Sequence, residues 1–372
     1  MCSVVLNSIV ETTENFNTII NENTLKELLF YKNKIDELEN TKIWDRAKKF
    51  SNEYELIHLP NKRNKKDSIA LYEPLSRSYF KMCEMVHDYK LLDYGNKINI
   101  CCLAEGPGGF IECINNIRNK KDYILGITLK SSNREVPGWK KTRKFLETNT
   151  NVKITYGADG TGDLYNLKNI LYLQQIFKEN KCSLITADGG FDFSVDFNNQ
   201  EKMSYRIIYC EIVCALAIQI EGGNFVCKIF DIHTEFTSKL LYILLNHYTT
   251  VHVCKPKTSR PANSEKYIIC KNYKGIKQSF LRQLMDLVDK WEKTVDKLNF
   301  ITMNDSFVRQ IYNFNELITK SQTENIKQTL EIIANYDNIE LTSGIIENQK
   351  VKALSWCNMY NIDVNEQSSF LC

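Results

Sequence analysis

Four ionisable side chains of this chain stand where an alternating strand–helix fold would gather them. Asp188 follows a short apolar run, Lys228 lies inside a second one, Glu265 begins a third, and Lys81 lies on a predicted helix upstream. The carboxyl ends of parallel strands form the ligand crevice of an open α/β sheet, and an antiparallel strand that begins there joins them. We therefore expect one cluster of two lysines and two carboxylates. Such a cluster can remove a proton from a substrate when one lysine has a lowered pKa.

Each of these residues also has a structural interpretation. Lys81 could lie on a solvated helix face, Asp188 in an Asp-Gly turn, and Glu265 on the surface. Lys228 is harder to explain in this way, because a lysine enclosed by Phe-Val-Cys and Ile-Phe must be buried or line a cleft. The pattern favours Lys228 as the general base, with burial and the nearby cation of Lys81 lowering its pKa.

A glycine-rich turn follows the first predicted strand of the sheet. The stretch Asn99–Glu112 contains an apolar run, then Gly106, Pro107, Gly108 and Gly109, and then a helix. Glycines leave room for a ligand to approach the backbone, and proline stiffens the turn. We expect a cofactor here.

The same turn departs from the dinucleotide and P-loop patterns. Ile111 stands where the third glycine of a dinucleotide fingerprint would fall, and Lys130 ends the second strand in place of an acid. No Gly-Lys-Ser/Thr sequence follows the glycines. A nicotinamide dinucleotide and a P-loop nucleotide are both disfavoured.

The periodicity predicts an α/β fold with a seven-stranded, mostly parallel sheet whose last strand is antiparallel. The alternation of apolar runs with amphipathic segments carries this prediction. The final two strands lack a helix between them, and Gly222-Gly223 is expected to end the long helix before the fifth strand. Strands are predicted at 98–104, 123–129, 152–156, 182–187, 223–230, 249–255 and 265–271, and helices near 108–118, 139–147, 164–179, 203–221 and 236–247.

Helical segments flank the predicted sheet on both sides. Residues 1–20 are largely polar and are predicted to be frayed. An apolar stripe from Phe280 to Leu298 is expected to pack against the sheet. We divide the chain into a helical extension at 1–92, a cofactor-binding domain at 93–273 and a helical region at 274–372. The flanking helices are predicted at 21–38, 42–50, 76–88, 306–319, 323–336 and 346–360.

Composition bounds the possible partners and the compartment. The net charge of +3 does not by itself indicate a polyanionic partner, although 61–66 and 139–144 are locally basic and could equally be solvated surface. The 13 cysteines form no Cys-x-x-Cys pair, so we interpret them as core residues in a reducing compartment and expect no metal site. The apolar helix at 207–220 is too short to span a bilayer, and no signal segment is visible. We expect a soluble, intracellular protein with no membrane association.

Five segments in order resemble the FtsJ-like RNA ribose 2′-O-methyltransferases, most closely the cap-specific mRNA enzymes of eukaryotes and large DNA viruses. The resemblance covers about residues 25–275 and implies a Rossmann-like methyltransferase fold. It also implies that Lys81, Asp188, Lys228 and Glu265 form a Lys-Asp-Lys-Glu catalytic tetrad. The segments are Ser-Arg-Ser-Tyr-Phe-Lys, Ala-Glu-Gly-Pro-Gly-Gly-Phe, Ala-Asp-Gly-Gly-Phe, Phe-Val-Cys-Lys-Ile-Phe-Asp and Lys-Pro-Lys-Thr-Ser-Arg-Pro-Ala-Asn-Ser-Glu.

The resemblance implies S-adenosylmethionine as the cofactor. The loop from Gly106 to Phe110 would hold its methionine and ribose parts, and Asp163 could bind the adenine amino group. Asp163 could instead be the N-cap of the following helix. Glu105, where related proteins commonly have a small residue, and Lys130 are departures that affect the details of cofactor contact.

The resemblance further implies a capped RNA 5′ end as the partner. A methylated guanine needs an aromatic or acidic contact, and the phosphates need lysine or arginine. Association with other capping or transcription components stays open, and we expect a monomer. The positions that match the RNA-binding and cap-binding residues are Lys32, Asp36, Lys48, Ser76, Gln200 and Asn263.

Three functional hypotheses remain open from the sequence. The first is methylation of the first transcribed nucleotide of capped mRNA. The second is 2′-O-methylation of another RNA position, either the second cap nucleotide or a site in ribosomal or transfer RNA. The third is a non-catalytic RNA-binding subunit of the same fold, which the presence of all four tetrad residues disfavours.

Overall fold

The computed structural model describes residues 2–7, 18–38, 41–59, 67–133, 136–190, 197–294 and 297–371. A single sheet of eight strands organises these residues. The strands are β1 (Cys2–Leu6), β2 (Asn99–Leu103), β3 (Tyr123–Ile127), β4 (Val152–Thr155), β5 (Cys182–Ala187), β6 (Gln219–Ile229), β7 (Tyr248–Lys255) and β8 (Lys266–Tyr273).

The order of the strands is β1-β7-β8-β6-β5-β2-β3-β4. Strands β4, β3, β2, β5 and β6 run parallel, whereas β8 is antiparallel to both of its neighbours, β6 and β7. The prediction of a mostly parallel α/β sheet with an antiparallel last strand is confirmed. Because β8 begins where β6 ends, Glu265 and Lys228 lie at the same end of these two strands.

The prediction that residues 1–20 are frayed is wrong for their beginning. Strand β1 pairs antiparallel with β7 and adds an eighth strand at the edge of the sheet. Ser3 and Val5 are exposed while Leu6 is buried, as expected for an edge strand with one face on the core.

Eleven helices lie among the described residues. The element boundary before β6 differs from prediction, since the preceding helix ends at Ile218 and Gly222 and Gly223 lie inside β6. Gln219 pairs with Cys182 and Asn224 with Leu184, so the glycine segment forms a bulge. The buried Gln219 amide donates to the Asn224 carbonyl across this bulge at 2.5 Å. The helices are α1 (Glu22–Asp36), α2 (Thr41–Phe50), α3 (Ser78–Tyr89), α4 (Gly109–Ile117), α5 (Arg143–Thr148), α6 (Leu167–Ile176), α7 (Gln200–Ile218), α8 (Glu235–His247), α9 (Gln278–Asp289), α10 (Asp305–Ala334) and α11 (Ile339–Met359).

The C-terminal helices differ in length from the predicted ones. The segments predicted at 306–319 and 323–336 form the single helix α10, because no glycine or proline separates them. The stripe predicted from Phe280 to Leu298 divides into α9 and the short turn Trp291–Lys293. The prediction that it packs on the sheet is confirmed, since Leu281 and Leu284 belong to the same buried cluster as the strands.

Both faces of the sheet are covered by helices. On one face α6, α7, α8 and α9 bury the first cluster, and on the other α3, α4 and α11 bury the second. Trp356 of α11 contacts Phe80 of α3 with ring centroids 5.6 Å apart. Helix α10 packs against α1 and α2. Helix α11 therefore packs on α3, which carries Lys81.

The cysteines behave as the sequence predicts. Cys83, Cys113 and nine others are buried and free of disulfides, and they line the two apolar clusters. Burial raises the pKa of the Cys101 and Cys270 thiols well above the ordinary value. They are inert core residues. No helix in the described part of the chain combines the length and apolarity needed to cross a bilayer.

Candidate active site

The four residues of the predicted tetrad lie together at the carboxyl edge of the parallel strands. Asp188 directly follows β5, Lys228 is the penultimate residue of β6, and Glu265 directly precedes β8. Strands β5, β6 and β8 are neighbours in the sheet. Lys81 reaches the same edge from α3.

Two ion pairs connect the tetrad. The Lys81 Nζ lies 2.7 Å from Glu265 Oε1, and the Lys228 Nζ lies 3.2 Å from Asp188 Oδ1. Lys228 also donates to the Asp188 backbone carbonyl at 2.7 Å. All four side chains are at most 17% exposed, so their charges interact strongly through a partly dry environment.

Two hydroxyl groups that sequence reasoning missed hold the acids in place. Tyr267 donates to Asp188 Oδ1 at 3.0 Å, and Ser259 donates to Glu265 Oε1 at 2.6 Å. Tyr267 pairs with Lys228 in the β6–β8 ladder. The position of Tyr267 on β8, two residues after Glu265, was the available signal.

The pKa of Lys228 differs in direction from the sequence prediction. Burial favours the neutral amine, but the carboxylates of Asp188 and Glu265 outweigh burial and raise the pKa of Lys228. The prediction that burial and Lys81 lower it is wrong for the protein without ligands, because two anions face Lys228 on this edge. Burial would raise the pKa of Glu265, but Lys81 and Lys228 bring it well below the ordinary value.

The segment before β8 is held by a buried acid of α3. Glu84, 0% exposed, accepts hydrogen bonds from the Lys257 and Thr258 amides at 2.7 and 2.8 Å, and from the Thr258 hydroxyl at 2.7 Å. Burial raises its pKa. Lys81 and Glu84 lie on the same helix, α3. The loop that Glu84 holds leads to Glu265, the partner of Lys81. An acid inside the apolar sequence Met-Cys-Glu-Met-Val was the missed signal.

Replacing Glu84 by alanine should destabilise the protein. Three donors would lose a buried acceptor, and we expect a loss of about 2–4 kcal/mol in the free energy of unfolding. Denaturant unfolding measures this loss, and the matched variant Glu84→Gln, which keeps one carbonyl acceptor, should lose clearly less. Unchanged stability of Glu84→Ala would contradict the anchoring role.

The glycine-rich turn lies next to the tetrad at the start of α4. Gly108 has φ 105° and precedes the helix, and its amide donates to the Glu105 carbonyl at 2.7 Å. A Cβ on Gly109 would lie 2.2 Å from Ser78 Oγ, and one on Gly106 would lie 2.9 Å from the Pro137 carbonyl oxygen. Close contacts within the protein therefore require glycine at 106 and 109. The sequence analysis had explained these glycines by the approach of a ligand. The Gly108 position has no such contact under 3.5 Å.

Phe110 and Ser76 contact other residues of the protein at the glycine-rich turn. The Phe110 ring is fully buried, 5.9 Å from the Tyr267 ring, and its amide donates to Glu105 Oε1 at 2.8 Å. Ser76, which the sequence placed with the cap contacts, lies instead against Gly109 with its hydroxyl 2.5 Å from that of Ser78. Both residues shape the turn.

Asp163 lies in the loop after β4, beside the end of β3. Its carboxylate accepts from the Tyr165 amide at 2.8 Å, and the N-cap of α6 is Asn166. The alternative that Asp163 caps the helix is therefore wrong. The nearby Lys130 amide donates to the Thr161 carbonyl at 2.7 Å, which fixes this loop to the strand end.

The positions predicted to bind RNA do not all form one surface. Lys32 is buried and lies 3.3 Å from Asp231, which also pairs with Lys266 at 3.0 Å. A lysine in this buried ion cluster is not available to a ligand, because releasing it would leave Asp231 short of one partner. Lys48 pairs with Asp45 at 2.5 Å.

Gln200 and Asn263 lie close to the tetrad. Gln200 accepts a hydrogen bond from Ser264, the residue next to Glu265. Asn263 and Asp36 are exposed, and Asn263 lines a cavity of about 370 Å³ together with Lys255, Lys257 and Ser259. Burial and the nearby Lys266 lower the pKa of Lys255 to about 7. The basic run 61–66 lies outside the described residues.

The tetrad offers lysine and carboxylate side chains for chemistry. Groups of this kind can transfer protons and stabilise charge that develops during a reaction. No group of three or more potential metal ligands occurs among the residues that the structure describes.

Comparison with known proteins identifies relatives of this chain. The profile of the family described as FtsJ-like methyltransferase matches residues 74–273. A cap-specific mRNA (nucleoside-2′-O-)-methyltransferase 1 of Dictyostelium discoideum is 31% identical over 329 residues, 80% of this chain and 41% of that protein. Its counterpart in Trypanosoma cruzi is 30% identical over 236 residues, 60% of this chain and 63% of that protein.

A relative named as inactive is also similar. The inactive cap-specific mRNA (nucleoside-2′-O-)-methyltransferase 1B of Caenorhabditis briggsae is 27% identical over 269 residues, 67% of this chain and 30% of that protein. The chain spans less than half the length of the Dictyostelium and Caenorhabditis relatives. Similarity alone therefore does not distinguish a working enzyme from an inactive one.

Proposed function

The chain belongs to the FtsJ-like methyltransferase family, and on that premise we propose that it methylates a ribose 2′-hydroxyl of RNA with S-adenosylmethionine as methyl donor. The finer proposal is methylation of the first transcribed nucleotide of capped mRNA. The observation that carries the proposal of methyl transfer is the pairing of Lys81 with Glu265 and of Lys228 with Asp188 where the parallel strands end.

The residues of the glycine-rich turn fit this cofactor. Gly108 has no side chain at the start of α4, and a Cβ there would make only ordinary contacts, at 3.5 Å or more. Glu105, beneath the turn, has a buried carboxylate oxygen without a hydrogen bond. S-adenosylmethionine, when bound, supplies an electrophilic methyl group on a positively charged sulfur.

The tetrad supplies what the chemistry needs from the protein. A ribose 2′-hydroxyl attacks only after losing its proton, so the site must provide a base and hold the hydroxyl in line. Lys228 accepts that proton at Nζ, and Lys81 stabilises the developing oxyanion. Asp188 and Glu265 orient the two amines and keep Lys228 charged until a ligand enters. Loss of a carboxylate contact when the RNA enters the site then lowers the pKa of Lys228.

The surroundings of Glu265 support an RNA end as the substrate. The cavity beside it carries Lys257, which suits a phosphate, and Tyr54, whose ring lies 6.0 Å from the Lys257 Nζ. An aromatic ring and a lysine in one cavity match a guanine with its 5′-phosphates. Asn263 lines this cavity, and Gln200 accepts a hydrogen bond from Ser264, the residue next to Glu265.

A methyl-transfer assay on matched short RNAs tests the proposal. We expect transfer to a capped RNA, little transfer to the uncapped RNA of equal sequence, and none to a capped RNA whose first nucleotide already carries the 2′-O-methyl group. Transfer to that third RNA would indicate the second nucleotide. Equal transfer to capped and uncapped RNA would replace the cap proposal with a more general RNA substrate. RNA binding without any transfer would favour the non-catalytic alternative, which the inactive relative makes worth testing.

Replacing both Lys48 and Lys49 by alanine should weaken RNA binding without changing cofactor affinity. For each phosphate interaction that the substitution removes, the salt dependence of binding should fall by about one counterion. Filter binding over a range of salt concentrations measures this effect. The matched control is Lys178→Ala with Lys181→Ala, two exposed lysines near the start of β5 at the opposite edge of the sheet. Equal effects of the two pairs would contradict a docking role for α2.

A further inference from the structure

A buried carboxyl group that the proposed mechanism does not use lies directly under the glycine-rich turn. Glu105 is 2% exposed, and its Oε1 accepts the Phe110 amide hydrogen bond at 2.8 Å. Its Oε2 is buried and has no hydrogen-bond partner among the described residues. An unpaired, buried carboxylate oxygen is costly, so the group must carry a proton or face a ligand.

The groups around Glu105 show which of these holds in the free protein. Burial is the main cause that raises the pKa of Glu105 well above its ordinary value; Asp188 adds to the shift, and Lys228 opposes it. The other titratable groups that face it are Cys102 on β2, Cys113 on α4 and Tyr267 on β8, all with raised pKa values and hence neutral. Burial and Asp188 therefore favour the protonated form of Glu105 in the free protein.

The charges of the tetrad leave no cation for an ionised Glu105. Lys81 and Lys228 balance Asp188 and Glu265 in two close pairs. A negative charge on Glu105 becomes favourable only when a further positive charge enters the site. The sulfur of S-adenosylmethionine is such a charge, and it becomes neutral once the methyl group has left.

We propose that Glu105 is a positioning residue that is protonated in the free protein and releases its proton when the sulfonium cation of S-adenosylmethionine occupies the site. This inference rests on the proposed use of that cofactor by the Gly106–Phe110 loop. On binding, the O–H bond of the carboxyl group breaks, the proton goes to solvent, and the carboxylate faces the cation. After methyl transfer the sulfur is neutral, and the carboxylate takes a proton back.

Proton release on binding distinguishes the charged cofactor from its uncharged product. Calorimetric titration in two buffers of different ionisation enthalpy, without RNA, gives the protons released per ligand bound. We expect release of about one proton with S-adenosylmethionine and much less with S-adenosylhomocysteine. Affinity for S-adenosylmethionine should rise with pH until the free protein also loses the proton.

The variant Glu105→Gln keeps the shape of the side chain and an acceptor for the Phe110 amide. It should lose the proton release, and its preference for S-adenosylmethionine over S-adenosylhomocysteine should fall by about tenfold relative to the parent. If this variant does not fold, the comparison of the two ligands on the parent protein still decides the question.

Glu211 provides the matched control. It is fully buried on α7, near the same Lys228 and Asp188, and burial raises its pKa to about 8. Its two oxygens, however, accept from the Gly189 amide at 3.2 Å and from Cys227 Sγ at 3.7 Å. Proton release should persist in Glu211→Gln.

The results that overturn the inference differ from the one that overturns the proposed function. If the parent protein binds both ligands with equal proton release, or with none, the inference alone is overturned. Loss of the release in Glu211→Gln with its retention in Glu105→Gln overturns it as well. Failure of the folded parent protein to bind either ligand would overturn the proposed function, and this inference with it.

Discussion

Replacing Lys228 by alanine is expected to abolish methyl transfer while leaving cofactor binding largely intact. The Nζ of Lys228 is the proposed acceptor of the ribose proton and lies 3.2 Å from Asp188. Its removal takes away an interaction needed in the transition state. We expect the activation free energy of methyl transfer to rise by roughly several kcal/mol, as when a catalytic group is removed. Single-turnover methyl transfer measures the chemical step, and calorimetry with S-adenosylmethionine measures binding.

The variant Lys228→Arg separates the base from the ion pair. Arginine keeps a positive charge opposite Asp188 but cannot lose its proton at accessible pH. It should therefore be nearly as inactive as the alanine variant and closer to the parent in thermal stability. An alanine variant within about tenfold of parent activity, a barrier change of about 1.4 kcal/mol, would reject Lys228 as the base.

Replacing Gly108 by valine should strongly reduce affinity for S-adenosylmethionine. The residue has φ 105°, a conformation that a β-branched side chain adopts only with strain. A Cβ there would already lie 3.5 and 3.6 Å from Trp139 and Thr142, so the two further methyl groups of valine need additional space in the turn. We expect at least a hundredfold loss in affinity, about 2.7 kcal/mol.

Two further variants show whether that loss is local. Gly108→Ala adds one methyl group at the same φ and should have an intermediate effect. Gly95→Val, at a glycine with no atom within 4 Å of a Cβ, should bind the cofactor like the parent. Unchanged cofactor affinity in a folded Gly108→Val would mean that the loop is only a turn.

The sequence predicted that the four side chains of the tetrad lie close together, because the ends of neighbouring strands meet at one side of the sheet. Asp188 and Lys228 each lie at or near the end of an apolar run, and parallel strands bring such ends together. What the sequence did not reveal is how their charges combine. The direction of the Lys228 pKa depends on two carboxylates that face it, one from the end of β5 and one from the loop before β8. Only the spatial arrangement decides whether burial or these anions prevail.

The predictions for RNA contacts were weaker for a related physical reason. Lys32 matched by position, yet the fold uses its charge to balance Asp231 inside the protein. A surface lysine and a buried ion-paired lysine have the same local sequence pattern when the partner is 199 residues away. Strand β1 was missed because its pairing partner, β7, is also distant along the chain.

The placement of β8 has a consequence for how the molecule acquires activity. Lys81 and Glu265 are 184 residues apart in sequence, and β8 must insert between β6 and β7 before they can meet. Closing so long a segment has an entropic cost, and pairings between distant strands slow folding. The parallel pairs β2–β3 and β3–β4 join segments much closer in the chain and can form earlier. We therefore expect the recovery of methyl transfer in a refolding chain to lag behind the recovery of secondary structure.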